Sequence, residues 1–344
     1  MTGPGLAKET GSERANPGAF GPGGASPAVR QTPWKSYAAV IAASILWGSL
    51  YPAGKLPVAA IGPLQVAFCR TLLAAIALLT FVAIRGRAST LYPQARQRWR
   101  GILGISFLSF SGSSIIAMVA LGMLPASVNG LLNNAQPLWI ALGTAALVAP
   151  RRPLMLIFGS VLALTGVALV FFPDLSLASV TGPNALNPLG VAISLAGSGV
   201  IATNTVLTRK VMRQGDPIVI TGLASALAIP VVGVLVYFNG GFAPIFAASG
   251  LVLLLLLHVG IGCTAINFTL WFYSLQRLSA AQASAFQYMI PPVGVLISSI
   301  ALQEPLTAGL LIGGGFILAG LLATQFATSE RQDGVDQLTP ATFQ

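Results

Sequence analysis

The sequence has few charged residues, few acids and almost no cysteine or histidine. Of its 344 residues, 8% are charged and 55% are hydrophobic. Soluble domains carry about 25% charged residues, so a soluble enzyme fold is excluded. The two cysteines, Cys69 and Cys263, lie within apolar runs, which argues against both a disulfide framework and a metal cluster. We therefore expect a membrane protein that holds no metal or other cofactor.

Long apolar runs are abundant instead. A transmembrane helix needs about 20 apolar residues, and ten runs of roughly that length follow one another along the chain. The spans are predicted at residues 37–57, 64–84, 102–122, 126–148, 154–172, 188–208, 217–237, 251–273, 279–302 and 306–326. The sequence therefore predicts an all-α polytopic membrane protein with ten transmembrane helices embedded in the lipid bilayer.

Basic residues indicate the orientation of these spans. The chain has 18 Lys and Arg against 8 Asp and Glu, and basic residues near span ends stay in the cytoplasm. With both termini cytoplasmic, only Lys55 and Arg70 fall elsewhere. The positive charge thus reflects topology, and no nucleic acid is expected as a partner. A bias toward Ala, Gly and Arg suggests a bacterium with a GC-rich genome, hence the cytoplasmic membrane.

The chain also matches itself at an offset of 154 residues. Proline and glycine matches carry the most weight, because these residues mark kinks and close helix contacts. The matched pairs are Pro63 with Pro217, Pro137 with Pro291, Gly159 with Gly313, and Gly166 with Gly320. Each copy has five spans, an odd number, so the second copy enters the membrane from the opposite side. Inverted repeats of this kind are typical of alternating-access transporters.

The repeat divides the chain into five segments. We expect a disordered cytoplasmic tail, a first five-helix repeat, a connecting loop, a second five-helix repeat and a cytoplasmic C-terminal tail. Their predicted bounds are 1–36, 37–172, 173–187, 188–326 and 327–344.

Short motifs along the two halves of the chain occur in the order that is typical of a known family. They are Trp47-Gly48, Lys55, Pro63, Arg70, Leu124-Pro125-Ala126-Ser127 with Pro137, and Glu304-Pro305-Leu306-Thr307. In this order, over residues 37–326, the chain resembles the EamA-like family of the drug/metabolite transporter superfamily, and Glu304 begins a motif similar to its Glu-x-x-Thr signature. The resemblance implies export or exchange of small metabolites, amino acids or drugs. One departure is Pro150, where the resemblance implies a second Glu, so only one half can use this carboxylate.

Ionisable residues inside a membrane are costly and are therefore functional candidates. Arg70 lies near the depth predicted for Glu304, and we expect an Arg70–Glu304 ion pair that joins the outer ends of two helices. The alternative is an Arg70 that contacts substrate. Lys55 is expected to extend toward the interface, with attraction of anions as the alternative.

His258 is the only histidine and the only side chain expected to titrate near neutral pH. It belongs to the predicted substrate-binding set, with two open roles: proton coupling, or a hydrogen bond from the neutral ring to a neighbouring helix. Proton relays usually involve carboxylates, and the predicted membrane interior has none. This favours a facilitator or an exchanger over a carboxylate-based antiporter.

Uncharged polar residues complete the predicted substrate site. Asn129, Asn133 and Gln136 are spaced to share one face of the fourth span. Ser284, Gln287 and Tyr288 do the same in the ninth, and Asn133 and Gln287 are repeat mates. The wall would be completed by residues of the first and eighth spans, namely Trp47, Tyr51, Asn267 and Trp271. The alternative for the amides is interhelical hydrogen bonding, worth roughly 1 kcal/mol each.

The sequence thus predicts a transporter of a small molecule that works by alternating access. A channel-like facilitator is the first alternative. An intramembrane enzyme is disfavoured because the predicted membrane interior lacks a nucleophile, base or metal set. Gly309, Gly313 and Gly320 suit close helix packing, either in a homodimer or within one chain.

Overall fold

The computed structural model describes residues 34–135, 138–139, 152–171, 186–213, 215–275 and 286–338. Within these ranges six helical stretches are long and apolar enough to cross a membrane. They are Trp34–Ile61, Pro63–Ile84, Ala88–Met123, Pro153–Val170, Pro217–Phe238 and Gly250–Trp271. Shorter apolar helices occur at Pro188–Asn204, Ile290–Leu302 and Ala308–Ala323. The described chain is helical, as the apolar runs predicted.

In the described part of the first half there are seven helices and one π-helical segment. They are α1 (Trp34–Gly48), α2 (Leu50–Ile61), α3 (Pro63–Ile84), α4 (Leu91–Ile105), the first π segment (Ser106–Ser113), α5 (Ser114–Met123), α6 (Ala126–Asn133) and α7 (Pro153–Phe171). A short 3₁₀ turn at Ala88–Thr90 precedes α4. The π segment joins α4 and α5 into one long helical stretch.

The second half has a similar order of elements. They are α8 (Pro188–Arg213), α9 (Pro217–Phe238), the short α10 (Ala243–Phe246), α11 (Gly250–Leu257), the second π segment (His258–Ile266), α12 (Asn267–Leu275), α13 (Ile290–Leu302) and α14 (Ala308–Leu338). At the offset of 154, the first π segment corresponds to residues 260–267 and therefore overlaps the second.

The last helix departs from the sequence prediction. A span ending at residue 326, followed by a tail, was expected, but α14 continues to Leu338. Extending an existing helix adds one hydrogen bond for each residue that is fixed, so polar residues can follow the apolar segment without a new nucleation step. Pro340 comes two residues after the helix end, where a proline is commonly found.

Prolines explain where helices are interrupted within the membrane. A proline ring clashes with the carbonyl four residues earlier. Pro52 thus breaks the first span after Gly48, at Ser49. By the same rule the Pro291-Pro292 pair places a turn at residues 288–289. In the first half α6 ends at Asn133, four positions before Pro137 in the sequence.

Several helices pack against helices of the other half, among them α7 against α14, α3 against α9, and α6 against α13. The α7–α14 contact is the tightest, because glycines let the backbones meet. A Cβ at Gly166 would lie 2.5 Å from the Gly313 carbonyl oxygen, and one at Gly320 would lie 2.5 Å from the Gly159 carbonyl oxygen. These glycines therefore serve packing within one chain, which was one of the two predicted uses.

The largest apolar core cluster lies where α2, α3, α5 and α11 meet. Val66, Met118, Leu121 and Val259 are fully buried in it. Leu253, Leu254 and Leu257 of α11 are instead exposed, as expected for side chains that face lipid. Tyr51 and Cys263, which recur in the candidate site below, also belong to this cluster.

Candidate functional site

The break in the first span forms a polar contact with the second π segment. Ser49 lies between α1 and α2, and its Oγ is 2.9 Å from His258 Nε2 and 3.5 Å from Cys263 Sγ. Ser49 Oγ also donates to the Leu46 carbonyl oxygen at 2.8 Å. His258 thus makes the hydrogen bond to a neighbouring helix that was one of its two predicted roles.

Arg70 of α3 also contacts the second π segment. Its Nε donates to Thr264 Oγ1 at 2.9 Å, and Thr264 donates to the Val259 carbonyl oxygen at 2.9 Å. Gly260 permits this close approach, since a Cβ there would lie 2.6 Å from Leu73 Cβ. The Tyr51 hydroxyl and the Cys263 thiol lie near the Arg70 guanidinium. We call Ser49, Tyr51, Arg70, His258, Cys263 and Thr264 the Arg70 cluster.

The expected Arg70–Glu304 ion pair does not form. The Glu304 carboxylate instead accepts hydrogen bonds from the backbone N–H of Ala126 at 2.6 Å, and from the backbone N–H and Oγ of Ser127 at 2.9 Å and 2.6 Å. These N–H groups lie in the first turn of α6, where they have no partner within the helix. The prediction failed because it ranked partners by charge and depth alone, and backbone donors carry no sequence signal.

Lys55 binds the end of α5, which directly precedes the start of α6. Its Nζ donates to the carbonyl oxygens of Leu121 at 2.8 Å and Leu124 at 2.5 Å, near the end of α5. A cation at a helix C-terminus and an anion at a helix N-terminus are each favourable. Lys55 and Glu304 also attract each other across the turn. Lys55 therefore caps a helix end, rather than extending to the interface as the sequence suggested.

The amides of α6 belong to a buried interhelical network. Tyr51 Oη donates to Asn133 Oδ1 at 2.7 Å, and Asn133 Nδ2 donates to the Ser194 carbonyl oxygen at 3.4 Å. Ser194 Oγ donates to Asn129 Oδ1 at 2.8 Å, and Asn129 Nδ2 donates to the Ala117 carbonyl oxygen at 3.1 Å. Asn129 and Asn133 are 0% and 2% exposed. This geometry fits the helix-joining alternative better than a cavity wall.

Asn267 is similarly engaged, since its Nδ2 donates to the Ala43 carbonyl oxygen at 2.9 Å. Trp47 is half-buried and forms an aromatic group with its neighbours. Its ring centroid is 5.6 Å from that of Trp271 and 5.7 Å from that of Phe268. Phe268 follows Thr264 of the Arg70 cluster by four residues, about one helical turn, so the aromatic group adjoins the cluster through Phe268.

The ninth span differs from the fourth. Gln287 is half-buried, and no acceptor or donor among the described residues binds its amide. Tyr288, at the helix break, donates from Oη to the Leu321 carbonyl oxygen at 3.3 Å. The predicted site residues Gln136 and Ser284 lie outside the described residues.

Sequence reasoning missed Ser49, Ser127, Ser194 and Thr264. Ser and Thr are ordinary in transmembrane helices, so composition does not single them out. Pro52, four residues after Gly48, is the one signal that marks the break at Ser49 in advance. No comparable signal in the sequence marks the two π segments.

A family model matches the chain twice, once in each half. The model of the EamA-like transporter family matches residues 34–172 and again residues 188–325. The chain belongs to the EamA-like transporter family. The two EamA-like matches are separated by the residues between α7 and α8. The motifs that carried the resemblance, Leu124-Pro125-Ala126-Ser127 and Glu304, bind each other directly.

Individual relatives are also named as transporters or exporters. An uncharacterized transporter of Archaeoglobus fulgidus is 24% identical over 282 residues, which cover 80% of this chain and 93% of the relative. A protein of Streptantibioticus cattleyicolor, named a probable terminal-alkyne amino-acid exporter, is 25% identical over 87% of this chain and 96% of its own length. This EamA-like chain is therefore a multi-pass membrane protein whose relatives are named transporters, which are not enzymes.

A solved crystal structure shares the fold. It has a TM-score of 0.59 and 20% sequence identity, and the match covers 87% of this chain and 99% of the other. The likeness concerns the fold alone.

Proposed function

We propose that this EamA-like protein moves a small metabolite across the membrane by alternating access of two inverted five-helix repeats. In this proposal ten helices cross the membrane, both termini are cytoplasmic, and the substrate binds between the halves near the midplane. Transport is export or exchange across the cytoplasmic membrane of a bacterium. The partners are a small molecule and lipid.

The observation that carries this proposal is a pair of interrupted helices, one in each repeat. Turns at residues 134–135 and 288–289 stand at corresponding positions of the two repeats. The helices beside them, α6 and α13, pack against each other. In transporters with inverted repeats, broken helices of this kind form the substrate site, because their free backbone groups bind polar ligands.

Symmetric glycine contacts support the repeat. The contact of Gly166 with Gly313 becomes the contact of Gly320 with Gly159 when each residue is replaced by its mate at the offset of 154. A pseudo-twofold axis relates such reciprocal contacts. It also accounts for Pro63 and Pro217 each standing first in its helix, α3 and α9.

The substrate site is proposed at the Arg70 cluster, together with Trp47, Trp271 and Gln287. Half-buried polar groups beside aromatic side chains are typical of small-molecule sites. The name of the Streptantibioticus cattleyicolor relative supports small metabolites as a substrate class. A channel-like facilitator is less well supported, because no ring of like groups occurs among the described helices.

Counterflow into proteoliposomes tests the transport mechanism. Vesicles with purified protein would be loaded with an unlabelled compound from a panel of amino acids, small carboxylates and cationic drugs. Entry of the labelled compound would then be followed with and without a pH gradient. Alternating access predicts saturable uptake that is accelerated by internal substrate. Flux that does not saturate and gains nothing from internal substrate would favour the channel.

The same assay tests His258. No carboxylate joins the Arg70 cluster in the described chain, so we expect counterflow to be independent of the pH gradient. His258→Ala removes one hydrogen bond to Ser49, and the flux that remains in this variant should be equally independent of the gradient. Flux that requires the gradient and is lost in His258→Ala would instead make this histidine the proton-coupling residue.

The repeat mates Asn133 and Gln287 should respond in opposite ways to alanine substitution. Asn133→Ala leaves the Tyr51 hydroxyl without its acceptor and should lower stability by about 1–3 kcal/mol. Gln287→Ala breaks no hydrogen bond with the described residues, and we expect it to reduce transport several-fold at unchanged stability. Thermal unfolding in detergent and counterflow distinguish the two effects. Normal transport by Gln287→Ala would exclude this amide from the substrate site.

A further inference from the structure

Arg70 is a cation inside the membrane-spanning region without a counterion in the described structure. It lies seven residues after the start of α3, about 10 Å into the helix at 1.5 Å per residue. The two carboxylates whose contacts are described bind elsewhere: Asp216 pairs with Arg87, and Glu304 caps α6. An uncompensated charge at this depth is costly, so its retention calls for a function.

Most of the hydrogen-bonding capacity of this guanidinium is unused. An arginine side chain has five N–H donors, and within the described residues only Nε has a partner, Thr264 Oγ1. Both terminal amino groups therefore have donors to spare. The Thr264 bond holds the Nε end of the planar group and leaves the Nη end for a ligand.

The Arg70 side chain belongs to the protein-facing side of α3 rather than to a lipid-facing side. Arg70 is half-buried and follows Ala67 by three residues and precedes Ala74 by four, so the three share one helix face. Both alanines are 0% exposed, which identifies this face as the interior one. From this face the Arg70 side chain extends to the second π segment, where Thr264 accepts from its Nε.

The fold does not require arginine at this position. The repeat mate of Arg70 is Ala224 of α9, which is fully buried in the packing of the second half. Because α3 and α9 pack against each other as mates, the same place is occupied once by a methyl group and once by a guanidinium. The positive charge of Arg70 therefore occurs in one repeat only and is not needed for the packing that the two repeats share.

The chemistry around Arg70 selects an anion with an apolar body. A planar fork of N–H donors matches a carboxylate in bidentate geometry. The single formal charge of Arg70 balances a single carboxylate. Phe268 lies about one helical turn after Thr264, and its aromatic group with Trp47 and Trp271 suits an apolar substrate body.

We propose that Arg70 binds the carboxylate of a small organic acid or amino acid as the protein carries it across the membrane. This assignment rests on the proposed transport function and adds the substrate class to it. Thr264 positions the guanidinium, and the substrate supplies the counterion that the described chain lacks.

Thermal unfolding of purified protein in detergent tests the binding step. The probes are phenylacetate and L-phenylalanine, with phenylacetamide as the neutral match. At saturating concentration a carboxylate probe should raise Tm by about 2 °C or more, and the amide should not. Arg70→Gln should weaken binding of the acid at least about tenfold, whereas Arg70→Lys should retain part of it. Arg85→Gln, outside the cluster, is the matched control and should respond like the wild type.

The unliganded variants supply a second readout. If Arg70 carries substrate, Arg70→Gln should unfold at the same temperature as wild type or higher, since a buried charge has been removed. A structural role predicts a lower Tm. A shift with the amide as large as that with the acid would overturn the proposal. So would an unchanged response of folded Arg70→Gln, or no shift with either acid.

Counterflow separates this proposal from the transport function itself. Exchange of phenylacetate or L-phenylalanine by the wild type, lost in Arg70→Gln, supports both, and the two probes tell organic acids from amino acids. Saturable counterflow of neutral or cationic compounds that persists in Arg70→Gln would leave the transporter standing and overturn the carboxylate site. No counterflow with any class would count against the transport function.

Discussion

Gly166→Ala is expected to cost roughly 3 kcal/mol of stability, which corresponds to a fall of about 4 °C in Tm. The added Cβ would lie 2.5 Å from the Gly313 carbonyl oxygen and 2.6 Å from the Ile317 backbone nitrogen. Both contacts are with backbone, so no side-chain rotation relieves them, and α7 and α14 must move apart. Thermal unfolding of the purified protein in detergent measures the loss.

Two further glycines make this test internally controlled. Gly320→Ala places a Cβ 2.5 Å from the Gly159 carbonyl oxygen and should cost about as much, because its contact is the repeat mate of the first. Gly315 lies on the same helix with nothing within 4 Å of its added Cβ. Gly315→Ala should therefore be neutral or stabilising by up to about 1 kcal/mol. Equal stability of all three variants would mean that α7 and α14 are not in backbone contact.

Glu304→Gln is expected to lower stability by about 2–3 kcal/mol. The carboxylate accepts three hydrogen bonds at the start of α6, and its negative charge faces the positive end of that helix. An amide removes the charge and presents a donor to at least one of these N–H groups. Loss of charge-assisted hydrogen bonds accounts for this magnitude.

Substitutions at two neighbouring residues provide smaller stability changes with which the effect of Glu304→Gln can be compared. Ser127→Ala removes only the hydroxyl bond to Glu304 and should cost about 1 kcal/mol. Gln303 is exposed and has a positive φ of 55°, so Gln303→Asn keeps a residue that tolerates this conformation and should be neutral. If Glu304→Gln unfolds no more easily than Gln303→Asn, the carboxylate does not hold α6, and an effect on transport alone would point to gating.

The position of Glu304 follows from the end of α13. Gln303 adopts the left-handed conformation and closes the helix with a hydrogen bond to the Ser298 carbonyl oxygen. The chain then turns, and Glu304 reaches α6 in the other half of the molecule. Thr307, the second fixed residue of the motif, caps α14 by accepting from the Leu310 N–H at 3.2 Å. The Glu-x-x-Thr pattern thus holds the start of one helix in each half.

The sequence by itself determined the features that depend on local chemistry. Apolar runs gave the helices of a multi-pass membrane protein, since an apolar segment in lipid must satisfy its backbone hydrogen bonds internally. The motif order predicted the family, which the family model confirms. The offset of 154 paired the glycines that pack α7 on α14, because only a residue without Cβ permits that approach.

The tertiary structure alone decided the partners of polar groups. The Glu304 carboxylate accepts from backbone N–H groups and does not pair with Arg70. The Asn133 amide accepts a hydrogen bond from Tyr51, whereas its repeat mate Gln287 has no partner among the described residues. These choices depend on which helix ends and breaks face each other, and every residue has the same backbone donors and acceptors. Sequence therefore identifies which side chains are costly in a membrane, whereas only the packed helices determine whether protein groups satisfy them or leave them for a ligand.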